Sequence, residues 1–141
     1  MKKLISILVV VLFAISAMAQ VSSQSGKLET IKSFRLGVCK LIKAEKEGAV
    51  TYQITAISAN VSSYTLTIYL GGEKAAVALL TSLAEYKPTK GERVNLNNVV
   101  GNTAKYSKFT GAWEIYSTGG VMYISVSRKE LRTMAKVIGG K

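Results

Sequence analysis

Residues 64–86 read YTLTIYLGGEKAAVALLTSLAEY, and two hydrophobic periods meet inside this stretch. From Thr65 to Leu70 the apolar residues Leu66, Ile68 and Leu70 alternate with Thr65, Thr67 and Tyr69, the period of two that marks a strand with one buried face. After Gly71-Gly72 the spacing changes. Ala76, Leu79, Leu80 and Leu83 follow the i, i+3, i+4, i+7 rule that gives a helix one apolar stripe. Glu73 suits the positive end of the helix dipole, and Lys87-Pro88 stops the helix, because the residue before proline disfavours helical backbone. The unit is a strand followed by an amphipathic helix.

The last forty residues repeat this logic. Tyr106 to Phe109, Trp113 to Ser117 and Val121 to Val126 are expected as strands, and Gly119-Gly120 supplies the positive φ of a tight hairpin turn. Ser127 with Glu130 forms a capping box, Leu131, Met134, Ala135 and Ile138 form the buried stripe of a second helix, and Gly139-Gly140 ends it. Shifted by 56 positions, Leu66, Ile68, Leu70, Ala75 and Leu79 fall opposite Met122, Ile124, Val126, Leu131 and Ala135. Few identities accompany the match, so it is a weak sign of duplication.

Upstream, Phe34 to Ala44 is apolar and β-branched, Glu45 to Gly48 is a turn, and Val50, Tyr52, Ile54 and Ala56 alternate with Thr51, Gln53 and Thr55. These predict a hairpin. A further short strand is expected at Arg93 to Leu96, and Asn95, Asn97, Asn98, Gly101 and Asn102 mark an irregular connection. Taken together, residues 34–141 are expected to form a single α+β domain, an antiparallel sheet of about six to seven strands with two amphipathic helices packed on one face. Residues 20–33 are polar and are expected to be a flexible leader.

Residues 1–19 have the three parts of an export signal. Lys2 and Lys3 give the charged start, Leu4 to Ile15 the apolar run, and Ala17-Met18-Ala19 the small residues of a cleavage site; the junction resembles export signals of Gram-negative bacteria. The apolar run is about a dozen residues and a membrane span needs about 20. The expected product is therefore a periplasmic or secreted protein with no transmembrane anchor. Cleavage would remove two lysines and leave 122 of the 141 residues, with a net charge of +9 in place of +11.

Composition excludes much chemistry. There is no histidine, all eight acidic residues are Glu, and there is one Cys and one Pro. Histidine triads, histidine-ligated metals, Asp-rich calcium loops and disulfide frameworks are ruled out by counting, and no metal or other cofactor is expected. Cys39 lacks a base to make it a thiolate. Ser127 with Lys129, Glu45 with Glu47, and Glu73 with Glu85 are all accounted for as turn, cap or helix positions, so no catalytic residue is assigned. Gly71-Gly72 lacks the spacing of a phosphate-binding loop. The sequon Asn60-Val61-Ser62 carries meaning only in a eukaryotic secretory route.

What is left is binding. By alternation, Tyr69, Tyr116 and Tyr123 share the uncovered sheet face with Glu114, and such a face can stack on sugars, bases or peptide side chains. The expectation is an exported, non-catalytic binding or interaction module whose partner is an envelope protein or an acidic glycan. A first alternative is a basic surface that binds acidic glycan, lipopolysaccharide or anionic membrane, and a second is an unusual His-free hydrolase. The lysines are scattered and no nucleic-acid module is present, so no nucleic-acid partner is expected.

Overall fold

A computed structural model describes residues 26–140; residues 1–19, expected to be an export signal, and the first part of the expected leader lie outside the described residues. Eight strands and two helices follow one another as β1 (Lys27–Phe34), β2 (Cys39–Lys46), β3 (Ala49–Ile57), β4 (Thr65–Gly71), α1 (Glu73–Glu85), β5 (Arg93–Asn95), β6 (Thr103–Ser107), β7 (Ala112–Tyr116), β8 (Tyr123–Ser127) and α2 (Arg128–Gly139). The strands form two antiparallel meanders, β1-β2-β3-β4 and β5-β6-β7-β8, each leading directly into a helix. The α+β class holds. The single sheet of six to seven strands is corrected to two sheets of four.

Alternation along a strand sets which face is buried, not which strand lies beside it. After β4 the chain leaves the sheet through α1 and the 86–92 connection, so β5 opens a new meander. The free edge of β8 does not continue the first sheet either, because loop and side-chain groups of the first unit already occupy it. Asn60 donates from Nδ2 to the Val121 carbonyl at 2.8 Å and its Oδ1 accepts from the Tyr123 amide at 3.3 Å. Ala59 donates its amide to the Tyr123 carbonyl, and Arg35 reaches the Ser125 carbonyl. Asn60 thus acts as one residue of a missing neighbour strand.

The leader expectation is also revised. Residues 27–34 form β1, paired with β2 from Lys27 opposite Glu45 to Phe34 opposite Cys39. The segment is polar because β1 is an edge strand exposed on most positions, and edge strands tolerate charge well. The single strand expected over Phe34 to Ala44 is instead interrupted by a one-turn 3-10 helix at Arg35–Gly37, where Arg35, Leu36 and Gly37 all have positive φ. Left-handed backbone at an arginine and a leucine is costly. It turns the Arg35 side chain toward Glu130, at 3.0 Å, and toward the edge of β8.

One core serves both units. Cys39, Leu41, Ile54 and Ile68 from the first sheet meet Trp113, Ile115, Ile124 and Val126 from the second, with Leu80, Leu131 and Met134 from the helices between them. The helices pack on each other; α1 also touches β3 and β4, and α2 touches β1 and β8. Helix α2 has the expected capping box, with Glu130 N donating to Ser127 Oγ and Ser127 N to Glu130 Oε1. Ser127→Ala is expected to lower stability by about 1 kcal/mol in denaturant titration, with the cooperative transition retained.

Candidate functional site

The tyrosines expected to share a face are divided between the sheets. Tyr116 and Tyr123 are direct cross-strand partners on the outer face of the second sheet, with ring centroids 5.1 Å apart and planes tilted by 51°. Tyr69 stands on the outer face of the first sheet opposite Gln53, and its ring pairs with neither. The Tyr116 ring is already engaged on one face by the Arg93 guanidinium, 4.1 Å from the centroid, and its hydroxyl donates to Glu114 Oε1 at 2.8 Å. Partial burial and the Glu114 hydrogen bond raise the Tyr116 pKa. Arg93 also donates to Thr103 Oγ1 at 3.2 Å. These contacts hold the pair as a fixed aromatic step and leave less open ring surface than the sequence implied.

The nucleophile and carboxylate candidates are not brought together. Cys39 is fully buried, and burial pushes its thiol up to about 11 against a partial opposing pull from Arg35. The neutral thiol is therefore favoured by folding. Above pH 9 the unfolded thiol ionises while the folded one stays protonated, so Cys39 destabilises the protein progressively between about pH 9 and 11. Comparison of chemical denaturation across that range is expected to show a smaller loss in Cys39→Ala than in the parent. Ser127 is committed to its cap, and Glu85 is held by Arg132 at 2.9 Å on the surface. Among the described residues no cluster of three or more Cys or Glu could hold a metal ion. None of their helices is long and apolar enough to cross a membrane.

A feature that the sequence did not reveal lies where the two units meet. A groove of about 500 Å³ runs between α1, the end of β4 and the connection from β5 to β6. Its walls are Leu70, Leu79 and Leu83 from the first unit and Val94 and Leu96 from the second, with Ser82, Tyr86 and Asn97 around the mouth. Leu79 and Leu83 read in sequence as an ordinary core stripe. In the structure Leu83 is buried and Leu79 only partly so, because α1 turns this flank toward the groove.

The wall from the second unit is held by asparagines of the β5–β6 connection, which is irregular as the sequence predicts. Asn102, buried, donates to the Tyr116 carbonyl at 2.8 Å and accepts from Asn98 Nδ2 at 2.8 Å. Asn98 Nδ2 also donates to the Tyr69 carbonyl at 2.8 Å, tying β4 to the second sheet. Asn97 has a left-handed backbone, with its amide donating to Asn95 Oδ1. On the other side of the mouth, Tyr86 donates its hydroxyl to Glu92, which raises the tyrosine pKa and lowers that of the carboxylate. No hydrogen bond among the described residues engages the side chains of Asn97 or Ser82. The groove is an apolar cleft of ligand size with two polar groups free at its rim.

No family model, curated protein or solved structure matches the chain.

Proposed function

We propose that this protein is an exported, non-catalytic binding module, and that the groove between its two units holds a compact, largely apolar molecule bearing one or two hydrogen-bonding groups. Export rests on the charged, apolar and small-residue pattern of residues 1–19. The observation that carries the binding reading is the groove itself. Each unit contributes one apolar wall, the asparagine network ties its second wall to both sheets, and the Asn97 side-chain carboxamide and Ser82 hydroxyl are available to orient what enters. Clefts of some 300–1,000 Å³ with few convergent polar groups are the usual form of small-molecule sites. The non-catalytic part is supported by the protonated, buried Cys39 and the dispersed glutamates.

Fluorescence titration with the neutral apolar probe N-phenyl-1-naphthylamine tests the site. Saturable enhancement is expected, with apparent affinity at least about tenfold weaker in Ser82→Trp, which plugs the mouth from an exposed helix position. Equal binding by Ser82→Trp, or no saturable binding by the parent, would overturn the assignment.

A further inference from the structure

A second trough, which shares only Ala78 with the groove beside β4, runs along the solvent side of the helix pair. Two adjoining depressions, of about 500 and 480 Å³, share Val77, Thr81 and Gly139 and form one continuous channel between α1 and α2. The two helices approach closely at its floor, where a Cβ on Gly139 would lie 3.8 Å from the Val77 side chain. Lys129, Arg132 and Lys136 stand along the α2 wall at i, i+3 and i+7, and Lys74 stands at the far end of the α1 wall. The nearby acids are Glu73 and Glu85, and Glu85 is already bonded to Arg132. Lys74, Lys129 and Lys136 have no acidic partner among the described residues.

We infer that this trough docks an acidic amphipathic helix of a partner protein, lying along the seam of α1 and α2. The length fits, because α1 spans 13 residues, about 20 Å, and so accommodates three to four turns of a third helix. Charge chooses the partner's sign, since Lys129 and Lys136, two turns apart on one face of α2, and Lys74 across the seam complement carboxylates at matching spacing. Relief selects a helix over a bilayer. A surface that inserts among lipids presents Trp, Phe or Leu, whereas this floor presents valine, threonine and glycine, which admit close approach of another backbone. A second copy of this chain would bring a further strongly basic molecule to a basic wall.

The test uses the full chain and a fluorescein-labelled helical peptide of about four turns, with Ala and Leu on one stripe and Glu on both flanks. Anisotropy is expected to show saturable binding that weakens as salt rises. It is expected to fall at least about tenfold in Lys129→Glu/Lys136→Glu and to be lost when the peptide glutamates are replaced by glutamine. Lys40→Glu/Lys105→Glu, on the outer faces of the two sheets, is the charge-matched control and leaves binding unchanged. Absence of binding overturns the proposal, as does binding that the Lys129→Glu/Lys136→Glu variant retains or that Lys40→Glu/Lys105→Glu weakens equally. Retention on phosphatidylglycerol vesicles without peptide binding assigns the trough to a membrane surface and likewise overturns it. Sedimentation of the parent as a dimer that Lys129→Glu/Lys136→Glu dissociates would show the occupant to be a second copy, with the same consequence.

Discussion

Trp113→Ala is expected to cost about 3–5 kcal/mol, the range for removing a large aromatic side chain from a packed interior. Trp113 is fully buried, and three groups close around it. Tyr106 meets its ring edge-on at 5.4 Å and Tyr86 lies at 6.2 Å, while the Arg128 guanidinium sits 4.6 Å from the Tyr106 ring and 5.8 Å from that of Trp113. Arg128 also donates to the Ala84 carbonyl, one of the carbonyls that the end of α1 leaves unpaired. Trp113 therefore supports the end of the first helix, the start of the second and the inner face of the second sheet together. Its Nε1 has no hydrogen-bond partner among the described residues. Trp113→Phe, which removes that donor along with part of the ring, is expected to cost clearly less than alanine. Urea titrations of the two variants check the order, and equal losses would contradict the role assigned to the ring.

The second large effect is expected at Asn102. Substitution by alanine removes the donor to the Tyr116 carbonyl and the acceptor of Asn98 Nδ2, leaving a buried polar site short of partners at about 2–3 kcal/mol. It has a second consequence that a core substitution lacks. Asn98 loses one of the contacts that hold it against the Tyr69 carbonyl, so the wall of the groove beside α1 loosens. Asn102→Ala is expected to weaken N-phenyl-1-naphthylamine binding under conditions where it remains folded by circular dichroism. Ser127→Ala, at a remote helix cap, is expected to lose stability without changing probe affinity.

The strand-to-helix units around residues 64–86 and 121–140 were legible because their periods are strong and their ends carry recognised stops, and Leu66, Ile68, Ile124, Leu131 and Met134 are buried as expected. The partition of strands was not legible. Leu66 and Ile124 look alike in sequence, yet they sit in different sheets, and what keeps the sheets apart includes a single amide, Asn60, whose role depends on a partner 61 to 63 residues away. β1 leaves no clear signature in the sequence, because a strand exposed along an edge lacks the apolar alternation of a half-buried one. The tyrosine face was half legible. Alternation placed Tyr116 and Tyr123 together, but placing Tyr69 beside them required one sheet. The groove was hidden because a leucine lining a cleft and a leucine filling a core have the same spacing.

The way in which Asn60, Ala59 and Arg35 complete the edge of β8 bears on how the molecule comes apart. Each repeat looks self-sufficient, with four strands and a helix, but the second one borrows hydrogen-bond partners from the first, and Trp113 leans on the far end of the first helix. Neither half can open without breaking contacts of the other. Melting should be a single cooperative step, and slow amide hydrogen exchange should extend across β3, β7 and β8 alike, so that a tandem architecture behaves as one folding unit.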